Sequence, residues 1–430
     1  MRRTAGRACG LGEAHGWQGV RLAGQVGGGA CDACPRGGMA QVLSRRGFIR
    51  RAGAVAAGLG ASALLPACSI APSGGVVASS DGRIRIGVSI WSATDAVGSL
   101  TINIIQRAAD ALGCSLTIVE TKHVSKQVIA SAGTLISEGC AGMMVCNSTD
   151  SEMTHLIKAC NQNSVYLTQF YRAISREDSP QVYQAALDSP YYVGAVHEDE
   201  VKNGETLAGL LIDGGRRHIC LEGWTEKDAT FELRWRGYRN ACDQWNAAHE
   251  GDRVELSEPI YVGVSASESA SAVQRFEGDV PSMDALIVSG GGGVPLVGAI
   301  GQLKNMGLTG KVAVATTDFL DNMGDHFSDG SVYCATGGNF CDALYAFILT
   351  YQACTGRLQV SQGGDAVDIL VPYVRATSAS EYAAYKAAFL DEDPYSADEM
   401  RHMVELAPDK LVELAASLSI EEIRTRHGRA

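Results

Sequence analysis

From residue 84 onward, short apolar runs alternate with longer amphipathic segments, and this alternation restricts the fold more than any other feature. Residues 84–90 have the length and the β-branched content of a buried strand, whereas residues 99–112 place their apolar side chains on one helical face. The same alternation continues to residue 170. It predicts a parallel sheet with helices on both faces.

The alternation restarts after a polar segment at residues 175–190 and continues to residue 335. Two successive units of similar length predict an α/β protein with two similar doubly wound lobes, and ligands of such sheets bind in the crevice at the carboxyl ends of the strands. Residues 376–430 are polar and carry Tyr382, Tyr385 and Phe389 at helical spacing. We expect them to form a helical C-terminal extension that wraps the two-lobe core.

The N-terminal part carries signals of export. Arg45 and Arg46 precede an uncharged apolar run at residues 52–65, and Leu-Pro-Ala-Cys follows at residues 65–68. The arginine pair resembles a Tat export signal, and Leu-Pro-Ala-Cys resembles a lipobox that would place a lipid on the thiol of Cys68. The apolar run is too short to span a bilayer of roughly 30 Å. These motifs predict an extracytoplasmic, lipid-anchored protein, with a plain signal anchor and a chance cysteine as the alternative.

The segment boundaries before the first strand follow from the same motifs. Residues 1–38 lack apolar periodicity and Met39 lies six residues before the arginine pair, so we expect translation to start at Met39. The signal peptide then spans residues 39–67, and the Ser/Gly/Pro/Ala-rich residues 68–82 form a flexible spacer. Cys31 and Cys34 have no second cysteine pair at zinc-ligand spacing, which disfavours metal binding.

Charge and cysteine content exclude some classes of function. After removal of residues 1–67 the chain keeps 27 basic and 46 acidic residues, a net charge of −19, which disfavours nucleic acid as a partner. Nine cysteines remain after Cys68, and most lie in apolar strand or helix patterns. We expect buried free thiols rather than a disulfide framework.

Landmarks in a fixed order run through residues 83–375. Residues 86–88 (Ile-Gly-Val) open the first strand, residues 147–151 (Asn-Ser-Thr-Asp-Ser) match a turn of the type Asn-Pro-Thr-Asp-Ser, and residues 234–238 (Arg-Trp-Arg-Gly-Tyr) match a helix start of the type Arg-x-x-Gly-Phe. Arg172 ends the fourth strand, and Asp318 stands where a Gly-Phe-Asp sequence is expected. Together they resemble the type I periplasmic-binding-protein superfamily, particularly the sugar-binding lipoproteins of ABC importers.

The resemblance implies two lobes that close on a ligand through three interlobe crossings, near residues 193–196, 339 and 360–372. One lobe would comprise residues 83–195 with 340–360, and the other residues 196–339 with 361–375. It also implies a monomer that binds a small polar ligand, sugar or sugar-like, and delivers it to an ABC permease in the membrane. Neither a catalytic group nor a cofactor is expected.

The resemblance and the strand ends together select eleven candidate ligand-binding residues. Other roles compete with binding: the two tryptophans could be core residues, Arg172 could form an interlobe salt bridge, the glycine run 290–293 could be a tight turn, and residues 147 and 150 could only shape their turn. His123, His155 and His197 are expected to be structural or on the surface. The candidates are Trp91, Asn147, Asp150, Tyr171, Arg172, Trp224, Arg234, Gly292, Gly293, Asp318 and Asn339.

Three positions depart from the sugar-binding pattern. Tyr171 replaces an expected carboxylate, Gly292 and Gly293 replace Asn-Asp, and Asn339 replaces Gln. A cleft without these acceptors, but with two arginines and free N–H groups at a helix start, favours a ligand that accepts hydrogen bonds, such as a sugar acid or a phosphorylated sugar. Asp318 favours a hydroxyl or an amine instead, so a ligand with both features fits best.

Three functions agree with these patterns. A solute-binding lipoprotein of an ABC importer accounts for the export signal, the lipobox and the paired lobes. A tethered sensor of the same fold that feeds a membrane histidine kinase is the alternative, and sequence alone does not separate the two or name the ligand. An exported α/β enzyme is disfavoured, because no nucleophile elbow, metal cluster or dinucleotide fingerprint is present in the sequence.

The lipobox predicts how the protein is anchored. Cys68→Ser removes the thiol that would carry the lipid, so the variant should leave the membrane fraction or remain an unprocessed precursor. Membrane fractionation of cells that express wild type and variant measures this. Equal retention of both forms in the membrane would contradict lipid attachment at Cys68.

Overall fold

The computed structural model describes residues 82–360, 363 and 365–428. Arg45, Arg46 and Cys68 lie outside the described residues, as do residues 1–38 and all of the predicted spacer except residue 82. The start site, the export signal and the lipid anchor therefore stay predictions.

The first lobe is built on one parallel sheet. Its strands run in the order β2-β1-β3-β4-β5-β12, and all neighbours are parallel. The strands and helices of this lobe are, in chain order, β1 (Arg85–Ile90), α1 (Ala96–Leu112), β2 (Ser115–Glu120), α2 (Ser125–Ser137), β3 (Gly142–Val145), α3 (Asp150–Asn163), β4 (Tyr166–Phe170), α4 (Pro180–Leu187), β5 (Tyr192–His197) and, after the second lobe, α10 (Asp342–Cys354) and β12 (Val367–Leu370).

The second lobe repeats this plan. Its sheet has the order β7-β6-β9-β10-β11-β13, in which only β13 is antiparallel to its neighbour, and β8 pairs with β6. The predicted class, two similar doubly wound parallel-sheet lobes, is confirmed. The elements are α5 (Glu200–Asp213), β6 (His218–Gly223), α6 (Ala229–Ala248), β7 (Glu255–Leu256), β8 (Ile260–Tyr261), α7 (Ala266–Asp279), β9 (Ala285–Val288), α8 (Val294–Asn305), β10 (Ala313–Thr317), α9 (Met323–Ser328), β11 (Cys334–Gly337) and β13 (Val374–Ala376).

Local sequence explains the regularity of the first βα unit. Five of the six β1 residues are buried, as expected for a strand with helices on both sides. The side chain of Asp95 caps α1 by accepting from the backbone N–H of Gly98, and Gly113 ends the helix in the left-handed conformation. Between these caps, Ile104, Ile105 and their neighbours at helical spacing are buried against the sheet.

The chain crosses between the lobes three times, at residues 198–199, 338–341 and 371–373. The assignment of residues 361–375 to the second lobe is wrong for Val367–Leu370, because β12 pairs with β5 in the first sheet. Gly194 permits this pairing: a Cβ there would lie 2.0 Å from the carbonyl oxygen of Val367. Because β12 is a short, half-exposed edge strand, its apolar pattern does not reveal which sheet it joins.

The C-terminal extension consists of four helices, α11 (Ala379–Phe389), α12 (Ala397–Met403), α13 (Pro408–Ala416) and α14 (Ile420–Arg426). The Tyr382 hydroxyl donates to the carbonyl of Leu320 in the second lobe. The Arg401 guanidinium donates to the carbonyl of Ala111 in α1 of the first lobe. The extension therefore contacts both lobes, which agrees with the predicted wrapping of the core.

Two features concern the chemistry of the whole described chain. All nine cysteines after Cys68 are unpaired and buried, which confirms the burial predicted for these thiols. Among residues 82–360, 363 and 365–428, no helix has the length and apolar character needed to cross a bilayer.

Helices α5 and α6 approach each other through glycine. A Cβ on Gly204 would lie 2.2 Å from the carbonyl oxygen of Arg234, and one on Gly237 would lie 2.1 Å from the carbonyl oxygen of Val201. Gly209, in the same helix as Gly204, faces open space. The close approach thus depends on specific glycines and not on the glycine content of the helices.

This difference between two glycines of one helix predicts opposite effects on stability. Gly204→Ala should lower the free energy of unfolding by about 1–3 kcal/mol, because the helices must separate. Gly209→Ala should raise it by about 0.5–1 kcal/mol, because alanine has the better helix propensity. Denaturant unfolding of both variants tests the packing, and equal effects of the two substitutions would contradict it.

Candidate functional site

A cavity lies between the lobes, at the carboxyl ends of both sheets. Trp91 follows β1, Arg172 follows β4, Trp224 follows β6 and Asp318 follows β10, and all four line it. The cavity volume is about 120 Å³. At roughly 10–15 Å³ for each water-sized group, this space holds about ten non-hydrogen atoms, which is the size of one monosaccharide.

The structure brings most of the candidate residues together. Eight of the eleven line the cavity, whereas Asn147, Asp150 and Gly293 do not. Whether the eight contact a ligand stays a prediction. The eight are Trp91, Tyr171, Arg172, Trp224, Arg234, Gly292, Asp318 and Asn339.

The three remaining candidates shape their own segments. The Asn147 amide accepts from Gln169 and donates to the carbonyl of Thr149. The Asp150 carboxylate accepts from the backbone N–H of Ser175. Gly293 precedes α8 with φ of 82°. For Asn147 and Asp150 the competing expectation of a turn-shaping role agrees with these contacts.

Aromatic side chains form the wall of the cavity in the first lobe. The rings of Trp91 and His123 are stacked with centroids 5.7 Å apart, and the edge of Tyr171 packs on Trp91 at 5.3 Å. Burial and the nearby Arg172 lower the pKa of His123 to about 4, so its imidazole is neutral at pH 7. The Trp91 indole N–H donates to Asp95 over 2.6 Å.

Tyr171 holds the position where a carboxylate was expected. Its hydroxyl donates to Thr101, whose own hydroxyl donates to the carbonyl of Val97. The backbone of Tyr171 has φ of 61°, a conformation that costs a bulky residue about 1–3 kcal/mol. His123 and Asp318, also on the cavity wall, have φ of 55° and 79°. Strained backbone is thus concentrated at this site.

Arg172 joins the two lobes. Its guanidinium makes two hydrogen bonds of 3.1 Å to the carboxylate of Asp228, at the start of α6 in the second lobe. Both side chains are more than 90% buried. Burial favours the neutral acid, but Arg172 outweighs it and lowers the pKa of Asp228. The competing expectation of an interlobe salt bridge is therefore correct, and Arg172 also lines the cavity.

Arg234 is the centre of a second buried network. Its guanidinium binds both oxygens of Glu200, at 2.6 and 2.8 Å, and donates to the carbonyl of Ser289 and to the hydroxyl of Tyr373. It lies 5.4 Å from the centroid of Trp224. Four of its five N–H groups therefore have partners within the protein, which leaves one for a ligand.

The glycine run encloses a carboxylate of the chain itself. Residues 290–293 all have positive φ, between 66° and 138°. The backbone N–H of Gly292 donates to the carboxylate of Asp318. Burial raises the pKa of Asp318 to about 6, although Arg234 opposes this shift. The anion-binding position expected at the start of α8 is thus occupied by Asp318.

Glu198 and Asp342 form a buried carboxyl pair beside the cavity. Glu198 lines the cavity with only 3% of its surface exposed. The amide of Asn339 and the carboxyl group of Asp342 are its side-chain hydrogen-bond partners. Burial and the neighbouring Glu200 raise the pKa of Glu198 to about 8, and burial and Glu198 raise that of Asp342. The pair therefore shares a proton at neutral pH.

The expected shortage of hydrogen-bond acceptors is wrong. Four carboxyl groups line the cavity, and three of them, those of Asp95, Glu198 and Glu200, stand at positions that the sequence did not single out. Asp95 and Glu200 look like ordinary acids at the starts of α1 and α5, and Glu198 precedes a helix start in the same way. His123, for which a structural or surface role was expected, also lines the cavity. Their common signal is position: each follows the carboxyl end of a parallel strand.

No protein-family model matches this sequence, and no curated protein matches it. Solved structures, in contrast, match most of the chain. A Tat pathway signal protein from Burkholderia phytofirmans has a TM-score of 0.61 and 17% sequence identity, and the match covers 71% of this chain and 94% of that one. The similarity therefore extends over nearly the whole of the other protein.

Two further structures carry ligands. An ABC transporter solute-binding protein from Agrobacterium vitis bound with α-D-tagatopyranose has a TM-score of 0.59 and 16% identity, over 71% of this chain and 99% of that one. One from Bacillus halodurans with bound myo-inositol has a TM-score of 0.56 and 16% identity, over 71% and 98%. These similarities confirm that the chain has the type I periplasmic-binding-protein fold.

The buried carboxyl pair predicts how stability depends on pH. The pKa of Glu198 is about 8 in the folded state and roughly 4.3 in an unfolded chain. The folded state therefore holds a proton that the unfolded state has lost, and stability should fall as pH rises from about 5 to 8, by up to about 1.4 kcal/mol per pH unit. Asp318 acts in the same direction over a narrower range.

Glu198→Gln tests this origin, because glutamine keeps the shape and loses the titration. The melting temperature of the ligand-free variant should decline less between pH 5 and 8 than that of wild type. Thermal unfolding of both proteins in a series of buffers measures the two slopes. Parallel curves would show that Glu198 does not carry the extra proton.

Proposed function

We propose that this protein captures a sugar or a polyol outside the cytoplasmic membrane and delivers it to the permease of an ABC importer. The observation that carries this proposal is the interlobe cavity of monosaccharide size, lined by aromatic rings together with buried carboxyl groups and arginines. Aromatic faces pack against the C–H faces of a sugar ring, while carboxylates and guanidinium groups hydrogen-bond its hydroxyls.

Proteins of the same fold support this class of ligand. The Agrobacterium vitis and Bacillus halodurans proteins are solute-binding proteins that hold tagatose and myo-inositol. Work of this kind is binding and release, so we assign no catalytic role to the site. Export is supported by the arginine pair at residues 45–46 and by the name of the Burkholderia phytofirmans protein, and lipid anchoring by Cys68.

The charges on the cavity wall argue against an anionic ligand. Arg172 is paired with Asp228, and Arg234 is paired with Glu200, so neither contributes a free positive charge. The glycine run already encloses Asp318. We therefore replace the sugar acid or phosphorylated sugar of the sequence analysis by a ligand that donates hydrogen bonds through its hydroxyl groups.

A thermal-shift panel of neutral monosaccharides and cyclic polyols tests the ligand class. A binder present at 100 times its dissociation constant should stabilise the folded protein by about 2.7 kcal/mol. Sugar acids and sugar phosphates serve as the contrasting set. Stabilisation by the acidic set alone would contradict the proposed ligand class.

The closing motion can be tested on the interlobe pair. Asp228→Asn keeps an acceptor for the α6 N-terminus but leaves Arg172 buried without a counter-charge in the closed form. We expect the affinity for the binder from the panel to fall at least tenfold, because opening relieves that penalty. Calorimetric titration measures the change.

The chain offers a matched control for this variant. Asp178 and Arg236 also join the two lobes, at 3.9 Å, but both are exposed. Asp178→Asn should therefore change affinity less than about fivefold.

Small-angle scattering of wild type should show a smaller radius of gyration with the binder than without it. Equal losses in the two variants, or unchanged scattering at saturation, would contradict closure through the buried pair.

A further inference from the structure

The cavity has more acidic than basic groups that lack a partner of opposite charge. The two arginines on its wall are each neutralised by a bidentate carboxylate, and His123 is neutral. Three other carboxyl groups, those of Asp95, Glu198 and Asp318, remain on the wall. Even with one proton shared between Glu198 and Asp342, the wall carries more negative than positive charge.

Glu198 shows most clearly that the cavity wall lacks a positively charged group. A buried carboxyl group normally has several hydrogen-bond donors around it, because an unsatisfied one costs the full desolvation penalty. Glu198 faces the cavity and is 97% buried, and its side-chain partners are the amide of Asn339 and the carboxyl group of Asp342, neither of which brings a positive charge. A ligand that supplies a positively charged donor at this point would compensate the burial of this carboxyl group.

Asp318 presents a second carboxyl group near the same guanidinium. Glu198, Glu200 and Asp318 all interact with Arg234, whose single positive charge is already bound by Glu200. The hydroxyl of Tyr373, which could donate to the remaining carboxyl groups, bonds Glu200 instead. One cation is thus shared among three acids, and a second cation would offset part of the remaining negative charge.

The aromatic wall suits the same kind of group. Trp91, Tyr171 and Trp224 border the cavity, and a cation near an aromatic face gains about 0.5–2 kcal/mol, most where water is excluded. A neutral hydroxyl gains nothing comparable from the ring faces. Carboxyl groups that have no cationic partner of their own, together with aromatic rings on one wall, therefore favour an ammonium group over a hydroxyl.

We propose that the ligand is a monosaccharide or cyclic polyol that carries one protonated amino group, with Glu198 and Asp318 as the groups that bind it. This inference rests on the proposed function and narrows its ligand class. The hydroxyl groups of such a ligand would use the remaining N–H of Arg234 and the amide of Asn339. The ammonium group would supply three donors and the positive charge that the wall lacks.

Matched ligand sets test the inference on wild-type protein. Each set contains a neutral hexose, its 2-amino-2-deoxy form and its uronic acid, in the gluco and galacto series, with myo-inositol and an amino-inositol as a further pair. In at least one set the amino member should bind ten times more tightly than its neutral parent in a calorimetric titration at pH 7. The acid should bind least.

Variants then locate the preference. Glu198→Gln and Asp318→Asn should each reduce the preference for the amino member at least fivefold, while the neutral parent loses less. Glu222→Gln is the matched control, because Glu222 is equally buried, accepts from Ser269 and does not line the cavity. It should keep the wild-type preference.

The outcomes separate this inference from the function on which it rests. A neutral hexose or inositol that binds as tightly as its amino partner overturns the ammonium site but leaves the sugar-binding function standing. An unchanged preference in both carboxyl variants also overturns the assignment to Glu198 and Asp318. Absence of binding by every member of the sets contradicts both proposals.

Discussion

One buried guanidinium, that of Arg234, holds together segments that are distant in the chain. It connects the start of α6 to Glu200 at the start of α5, to the carbonyl of Ser289 after β9 and to Tyr373 on the third crossing. A buried charge that loses its partner costs roughly 3–5 kcal/mol, so these segments keep their relative positions. Gly290 belongs to the same constraint, since a Cβ there would lie 2.8 Å from the guanidinium.

The same network decides the chemistry of the cavity before any ligand arrives. Because Glu200 neutralises Arg234 and Asp228 neutralises Arg172, the arginines act mainly as structural cations. The acids without such partners then determine the character of the wall. A sequence shows which residue types are present at the strand ends, but it does not show which charges cancel one another.

The fold was predictable because the spacing of apolar residues and the order of strands and helices can be read directly from the sequence. Apolar periodicity predicted both lobes. The rule that ligands bind at the carboxyl ends of parallel strands selected Trp91, Arg172, Trp224 and Asp318, and all four line one cavity. Glu198 also follows a strand end, but the sequence did not single it out, because an acid before a helix start has an ordinary explanation in capping. The lobe assignment of Val367–Leu370 was wrong because a short, half-exposed edge strand lacks a distinctive apolar pattern. Long-range pairing, such as Arg172 with Asp228, has no local signal at all.

The unpaired thiols have a consequence for where this chain can mature. All nine are buried, and burial raises the pKa of each, so the reactive thiolate is scarce and oxidants have little access. The strands of both lobes pair without any disulfide bond among the described cysteines. The fold of the described residues therefore uses no disulfide bond, and its assembly does not call for an oxidant of thiols.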